Sequence, residues 1–510
     1  MTKKITVLGG GTVGWLTALM TLENYPSYRV CLIENSEIGV LGAGEGTIPD
    51  ILSVFNTIRI PLSDLIRECS ATIKIGNKFS NWCGDDSSYF LPFDINHPIV
   101  SYSSKVPQTH IPYPFIANCI THDRSLDNIF FTAKLAGQNK VPYVHTPNHS
   151  ATDPLDNFTN IASVALHLDA RKLAVYLRKV AEDRGITRID GNYVSAELSE
   201  QGNITCLNLE DGKQIQTDFV FDCSGFARLL VGKLFKTEWI SYSKYFPQNT
   251  AVPFFIPHDN VNVTSFTQSI GMKYGWMWRV DVQDRSGCGY VFDSTLITPE
   301  QALAEVEEVL GHSVVSPKTF TFNAGTYKTS IVNNCMALGL SSGFIEPLEA
   351  TAIWQNMTML TEFLMHDGIN NYNNTQFLRS FNTCYDKMNL EILEFIQGHY
   401  VTPRADTEFW KKIRYDVPLL PSLQEKIEYL KEYNLLGIRN NDHHIGANIW
   451  LIMAAGQQLI NVDKLKQHQS VKNRHPYFEK MYADLKRNII DAAEHCVTHD
   501  YFLQKMREVK

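Results

Sequence analysis

A run of closely spaced glycines is the first place in this chain where residue type and spacing imply chemistry. Gly9-Gly10-Gly11-Thr12-Val13-Gly14 follows a short apolar stretch, Ile5 to Leu8, and precedes an apolar helical pattern that begins Trp15-Leu16-Thr17-Ala18. In that order Gly9 permits a tight turn, Gly11 lets backbone approach a pyrophosphate, and Gly14 lets helix pack closely on strand. The free N–H groups at the helix start then face phosphate oxygens. Arg29 to Ile33 reads as a second strand ending in Glu34, about 20 residues beyond the last glycine, where a carboxylate takes a ribose hydroxyl. The plain alternative is a glycine turn with no ligand. Phe219-Val220-Phe221-Asp222-Cys223-Ser224-Gly225 and Ala337-Leu338-Gly339-Leu340 each offer a further strand ending in a small-residue turn. A two-part site of this kind favours FAD over NAD. His495 and His499, four apart beside Cys496, and Asp442-His443-His444 are metal-ligand types at suggestive spacing. No completing ligand set accompanies them, so they read as structural or surface histidines and no metal is expected.

Such a turn needs a parallel sheet with helices around it, and the chain is long enough to supply one. Its 510 residues, 44% hydrophobic and 20% charged, can bury one large or two ordinary cores. The net charge of -8 and the lack of a Lys/Arg-rich run argue against a nucleic-acid partner. The start runs directly into a strand, no apolar run reaches the length of a membrane span, and the ten cysteines form no Cys-x-x-Cys pair. A cytoplasmic protein without a membrane partner is the expectation. Residues from about 85 to 155, rich in Pro, His, Ser and aromatics, read as long loops over a site. From Thr375 onward, Phe377, Leu378, Phe381, Tyr385 and Met388 recur at helical spacing.

Four further segments, together with the glycine turn, make the chain resemble the flavin-dependent tryptophan halogenase family. Gly275-Trp276-Met277-Trp278-Arg279-Val280, trailed by Gly289-Tyr290-Val291-Phe292, is similar to that family's Trp-x-Trp-x-Ile-Pro signature, with Val280 and Asp281 in place of Ile and Pro. Two indoles on one strand face also simply fill a core. Ile73-Lys74-Ile75-Gly76-Asn77-Lys78-Phe79-Ser80-Asn81-Trp82 resembles the stretch that carries the family's essential lysine before Phe-x-Asn-Trp, which selects Lys78 rather than Lys74. Glu346-Pro347-Leu348-Glu349-Ala350-Thr351-Ala352-Ile353 resembles Glu-Pro-Leu-Glu-Ser-Thr-Gly-Ile, with Ala350 for Ser and Ala352 for Gly. Phe395-Ile396-Gln397-Gly398-His399-Tyr400, followed by Arg404, Asp406, Phe409 and Trp410, resembles a structural block that follows a long helix.

The resemblance implies an enzyme that uses FADH2 and oxygen to oxidise halide to hypohalous acid, which Lys78 relays to an electron-rich aromatic substrate of indole, tryptophan or phenol type. Glu349 takes the catalytic acid position. Thr351 and the N–H of Ala352 take the halide positions, and Trp276 and Trp278 those of a flavin-side gate. Ala43, Glu45, Leu340 and Ile353 join Gly9, Gly11, Thr12, Val13, Gly14 and Glu34 as cofactor contacts. A lysine in a desolvated pocket has its pKa lowered, which suits a neutral amine. The implied fold is an α/β, FAD-binding Rossmann-like module of the glutathione-reductase type, with an inserted substrate region and a helical carboxy-terminal part. Its core spans 1–365, with insertions at 51–150 and 236–329, and helices at 366–510 cover the substrate. With a single dinucleotide fingerprint, a separate flavin reductase is the expected partner, and self-association stays open. Two rivals remain: an FAD-dependent aromatic monooxygenase, disfavoured because Gly339-Leu340 replaces the usual Gly-Asp, and a non-catalytic flavin-binding protein, disfavoured by the pairing of Lys78 with Glu349.

Overall fold

The computed structural model describes residues 2–39, 42, 44–93, 113–148, 150–258, 263–433, 445–472 and 475–508. Ala43 and Asp442-His443-His444 lie outside the described residues. The chain divides into two compact units, one of residues 1–70, 168–243 and 323–390, the other of residues 71–167, 244–322 and 391–510.

The first unit is built on a six-stranded sheet in the order Thr187–Asp190, Arg29–Glu34, Lys4–Leu8, Phe219–Asp222, Cys335–Ala337, Ile331–Val332. All neighbours run parallel except the last pair. Ile5, Val7, Leu32, Ile33, Val220 and Phe221 are fully buried, the continuous apolar signature of strands covered on both faces. The helices Thr12–Asn24, Ala170–Asp183 and Thr351–Met365 pack beside this sheet, with the first in contact with both others. Asp169 starts the middle helix, its carboxylate accepting from the N–H groups of Arg171 (2.9 Å) and Lys172 (3.2 Å). Ile204, Leu207 and Leu209, from a small antiparallel sheet, join Leu8, Ile33 and Val220 in one core.

The second unit centres on a seven-stranded sheet in the order Phe320–Thr321, Thr250–Pro257, Arg285–Phe292, Gly275–Asp281, Thr267–Gly271, Gly76–Ser80, Ser88–Pro92. Only the pair Thr267–Gly271 with Gly76–Ser80 is parallel. The helix Pro299–Leu310, closed by a Thr298/Gln301 capping box, buries Ala302 and Val306 against Val252, Phe254, Met277 and Tyr290 of this sheet.

Residues 51–70 and 323–390 count with the parallel sheet, and 391–510 with residues 71–167 and 244–322. What decides membership is which core buries an element's apolar face, and local periodicity does not carry that information. Tyr176, for example, ties 51–70 to the first unit by donating to Asp64 at 2.7 Å. The stretch 85–155 is not simply loops. Among its described residues are the strand Ser88–Pro92, the helices Tyr113–Thr121 and Phe131–Ala136, and the strand Lys140–His145. Phe115, Ile116, Ala117 and Cys119 are all fully buried, and a helix covered on every side shows no amphipathic period to read. The helical spacing after Thr375 corresponds to the helix Thr375–Gly398. Among the described residues no helix is long and apolar enough to cross a membrane.

Candidate functional site

The glycine turn has the geometry its spacing implies. Gly9 sits at φ +123°, and a Cβ there would stand 2.1 Å from the Cys223 carbonyl oxygen. A Cβ on Gly14 would stand 1.9 Å from the Gly9 carbonyl oxygen, so helix and strand touch through backbone. A Cβ on Gly11 would meet nothing within 4 Å. Gly11 caps the helix Thr12–Asn24, whose first turn holds no acid and no side-chain cap, and the first helical bond runs from Trp15 N–H to Gly11 C=O. The open space and the uncommitted helix start together fit the pyrophosphate of a flavin dinucleotide. The cradle extends to Gly339, at φ +68°, where a Cβ would stand 3.3 Å from Val13. Gly339 donates its N–H to Asn356 Oδ1 at 2.6 Å, which holds the short turn carrying Leu340.

Two acids line this turn. Glu34 ends its strand as expected, with Oε1 accepting from Arg188 Nε at 2.6 Å. Its Oε2 lies 1.6 Å from where a Cβ on Gly10 would be, a reason for that glycine which spacing alone did not reveal. Glu45 is pushed up to about 7 by desolvation, against the lowering effect of the Thr12 hydroxyl that donates to it at 3.3 Å. Asp222, fully buried, accepts from Ser224 N–H and hydroxyl and from the N–H groups of Leu230 and Val231, and so fixes the turn after the second small-residue strand.

At the Glu-Pro-Leu-Glu segment the backbone is strained. Glu349 (φ 66°, ψ 1°) and Ala350 (φ 55°, ψ 30°) are consecutive left-handed residues, neither a glycine. Each such conformation costs about 1–3 kcal/mol and persists only where surrounding structure imposes it, commonly at functional sites. The strained pair opens the helix Thr351–Met365, which has no side-chain cap and no acid in its first turn. Thr351 is buried and Ala352 exposed, with Ile353 half-buried one residue further on. A buried hydroxyl and a free amide at the positive end of a fifteen-residue helix form a place for a small anion.

The lysine candidates separate clearly. Lys74, on the strand Thr72–Lys74, is fully buried with its ammonium 5.3 Å from the Phe93 ring centroid, and it helps hold His167 down at about 3, where burial is the main cause. Lys78 keeps partial exposure in the middle of Gly76–Ser80, paired across to Phe90 and Gln268. Its ammonium acts on Asp127, whose carboxyl is raised by desolvation and drawn back down by Lys78; no sequence signal pointed to that acid. On the opposite face of the strand, Phe79 stacks between His399 (4.5 Å) and Tyr89 (4.9 Å). The His399-Tyr400 block clamps the residues that follow the lysine strand, with Thr402 donating to Trp82 C=O (3.0 Å) and Arg404 to Asn81 C=O (2.6 Å), while Trp410 donates to Met272 C=O (2.8 Å) at the end of the neighbouring strand.

Cross-strand register puts Trp276 and Trp278 on the Phe79 face of the sheet, opposite Lys78. Trp276 is 1% exposed and packs against Trp82 and Trp278, so within its unit it is a core residue. Trp278 is half-buried over Gly289, where a Cβ would stand 2.0 Å from the ring. Trp450 is 2% exposed and packs against Phe395. His499 gives both ring nitrogens to backbone, donating to Val263 C=O and accepting from Ile73 N–H, each at 3.0 Å, and His495 Nδ1 donates to Asp491 C=O. Among the described residues no group of His, Cys, Asp and Glu could hold a metal ion.

The tryptophan halogenase family model matches residues 4–472. A tryptophan 7-halogenase from Lentzea aerocolonigenes is 30% identical over 445 residues, covering 83% of this chain and 81% of that protein. A second tryptophan 7-halogenase, from Kutzneria sp., is 29% identical over 460 residues, 84% of this chain and 81% of that protein. Among solved structures, a flavin-dependent halogenase from Brevundimonas sp. superposes with a TM-score of 0.83 at 26% identity over 99% of both chains. A tryptophan halogenase from Shewanella frigidimarina reaches 0.88 at 22% identity, over 99% of this chain and 98% of that one, a likeness of fold. With a family match over nearly its whole length and a relative 30% identical over 83% of it, the chain belongs to the tryptophan halogenase family, whose members are flavin-dependent enzymes that halogenate aromatic substrates.

Proposed function

We propose that this chain attaches halogen to an electron-rich aromatic carbon, with Lys78 and Glu349 as its catalytic residues. The observation that carries the reading is the strained Glu349-Ala350 turn at the uncapped start of the helix Thr351–Met365. A protein maintains two adjacent left-handed residues where they present something, and here they set a carboxylate next to a free helix terminus.

Halide and an aromatic ring are both electron-rich, so the halogen must be oxidised before they react. Gly9, Gly11, Thr12, Val13 and Gly14, with Glu34, Glu45, Leu340 and Ile353 around them, would hold reduced FAD, which would supply with oxygen the two-electron oxidation of halide to hypohalous acid. Thr351 Oγ1 and the Ala352 N–H hold the halide. Lys78 Nζ receives the hypohalous acid and presents its halogen to the ring; as the carbon–halogen bond forms the oxygen–halogen bond breaks, and the hydroxide released takes up a proton and leaves as water. Glu349 stabilises the cationic ring formed on addition and accepts the proton lost from the substituted carbon, so that aromaticity returns. Trp278, the half-buried member of the tryptophan pair, serves as the gate, with Trp276 supporting it from the core. A separate flavin reductase supplies the reduced cofactor.

The test incubates the protein with FAD, a flavin reductase, NADH, oxygen and bromide over a panel of tryptophan, indoles and phenols, and reads the bromine isotope doublet by mass spectrometry. The doublet is expected to vanish in Lys78→Ala and to fall at least a hundredfold in Glu349→Gln, with FAD binding intact in both. An oxygen-sized mass gain independent of halide would sink the assignment in favour of a monooxygenase.

A further inference from the structure

We propose that Arg188 is a positioning residue for the adenosine end of the flavin dinucleotide, holding one oxygen of Glu34 so that the other is presented to a ribose hydroxyl. The inference rests on the reading of Glu34 as the ribose acid and adds the residue that makes it competent. Arg188 lies on the strand Thr187–Asp190, which pairs in parallel with Arg29–Glu34 at the edge of the six-stranded sheet, in register Arg188 with Leu32 and Asp190 with Glu34. Its Nε donates to Glu34 Oε1 at 2.6 Å, and its Nη2 donates to Asp190 Oδ2 at 3.0 Å. Asp190 is itself held by Ser36, through the N–H at 3.1 Å and the hydroxyl at 2.7 Å, and these bonds keep its carboxyl down at about 2. Arg178 adds a second cation 4.0 Å from Glu34 Oε1.

The chain of contacts from Ser36 through Asp190 and Arg188 to Glu34 has one geometric consequence. With Oε1 engaged, Oε2 rests against Gly10, in space that any side chain at position 10 would occupy. Arg188 and Glu34 each keep 15% of their side-chain surface exposed, so the pair is shielded enough to be rigid and open enough to be reached. A free glutamate has several rotamers and loses that freedom on binding; one already fixed by an arginine fork binds without the loss. The ligand class is an adenosine carrying a free 2′-hydroxyl next to a diphosphate.

The experiment is calorimetric titration of the full chain with ADP and with 2′-deoxy-ADP, for wild type, Glu34→Gln, Arg188→Gln and Arg188→Lys, with thermal unfolding of each as a check on folding. Wild type is expected to bind ADP roughly tenfold more tightly than the deoxy analogue, the scale of one charge-assisted hydrogen bond. Glu34→Gln loses most of that preference, Arg188→Gln loses it while still binding the deoxy analogue like wild type, and Arg188→Lys regains part of it. Equal wild-type affinity for the two ligands overturns the ribose reading of Glu34, and this proposal with it. A preference that Glu34→Gln abolishes but Arg188→Gln retains overturns the role of Arg188 alone. If Arg188→Gln weakens both ligands equally, Arg188 is merely structural and the proposal is overturned.

Discussion

Replacing Gly11 by alanine should separate folding from cofactor binding. At φ -75° the position is open to any L-residue, and an added Cβ meets nothing within 4 Å. A glycine-to-alanine change at such a site restricts the unfolded chain and stabilises the native state by about 0.4–1 kcal/mol. In a protein of 510 residues, with an unfolding entropy of about 2.1 cal/mol/K per residue, that is a rise of at most about 1 °C in the unfolding midpoint. The same methyl stands where the helix terminus must meet a pyrophosphate, so affinity for FAD should fall at least about tenfold, or ~1.4 kcal/mol. Gly14→Ala is the contrast: its Cβ would sit 1.9 Å from the Gly9 carbonyl oxygen, a clash only backbone movement can relieve, and the protein should unfold or fail to accumulate. The assay pairs differential scanning fluorimetry of the cofactor-free protein with titration of FAD followed by flavin fluorescence. Gly11→Ala that binds FAD as wild type does would refute the placement of the pyrophosphate. A large drop in its midpoint would refute the claim that the space beside Gly11 is kept for a ligand.

Glu45 has a folded-state pKa near 7, above the ordinary carboxylate value of 4.5, so the folded protein binds more protons than the unfolded chain between those values and its stability declines as pH rises through that window. Glu45→Gln should therefore unfold at higher urea than wild type at pH 8, by up to about 2–3 kcal/mol, with the gap closing toward pH 5. Ala350→Gly, at φ 55°, should relieve about 1 kcal/mol of left-handed strain, partly offset by the freedom glycine gains when unfolded; a melting temperature below that of wild type would contradict the strain argument. His499→Leu leaves Ile73 N–H and Val263 C=O without their partner and should cost about 2–4 kcal/mol in chemical denaturation, whereas an unchanged midpoint would show that the bridge contributes nothing.

Local structure was legible wherever it depends on the spacing of residues along the chain. The glycines at 9, 11 and 14, the strand ending at Glu34 and the long helix after Thr375 all follow from spacing, and the structure has them in those places. The Phe-x-Asn-Trp motif selects Lys78 over Lys74 without reference to burial, and the full burial of Lys74 against the partial exposure of Lys78 is visible only in the structure. Glu349 and Ala350 carried no sign of their left-handed backbone, because glycine and asparagine are the residues that announce it, and here surrounding packing imposes it on an acid and a methyl.

The sequence by itself determined the glycine turn, the helix that follows it, the strand ending at Glu34 and the chemical types at the candidate site, since each rests on residues close along the chain. Tertiary structure decided which core each segment joins, that Trp276 and Trp278 occupy the face of the sheet opposite Lys78, that Asp127 shares the field of the Lys78 ammonium, and that Arg188 holds Glu34. Those outcomes depend on strand order and register between segments up to about 200 residues apart, and a side-chain alternation of two leaves the facing partner unspecified until the strands have paired.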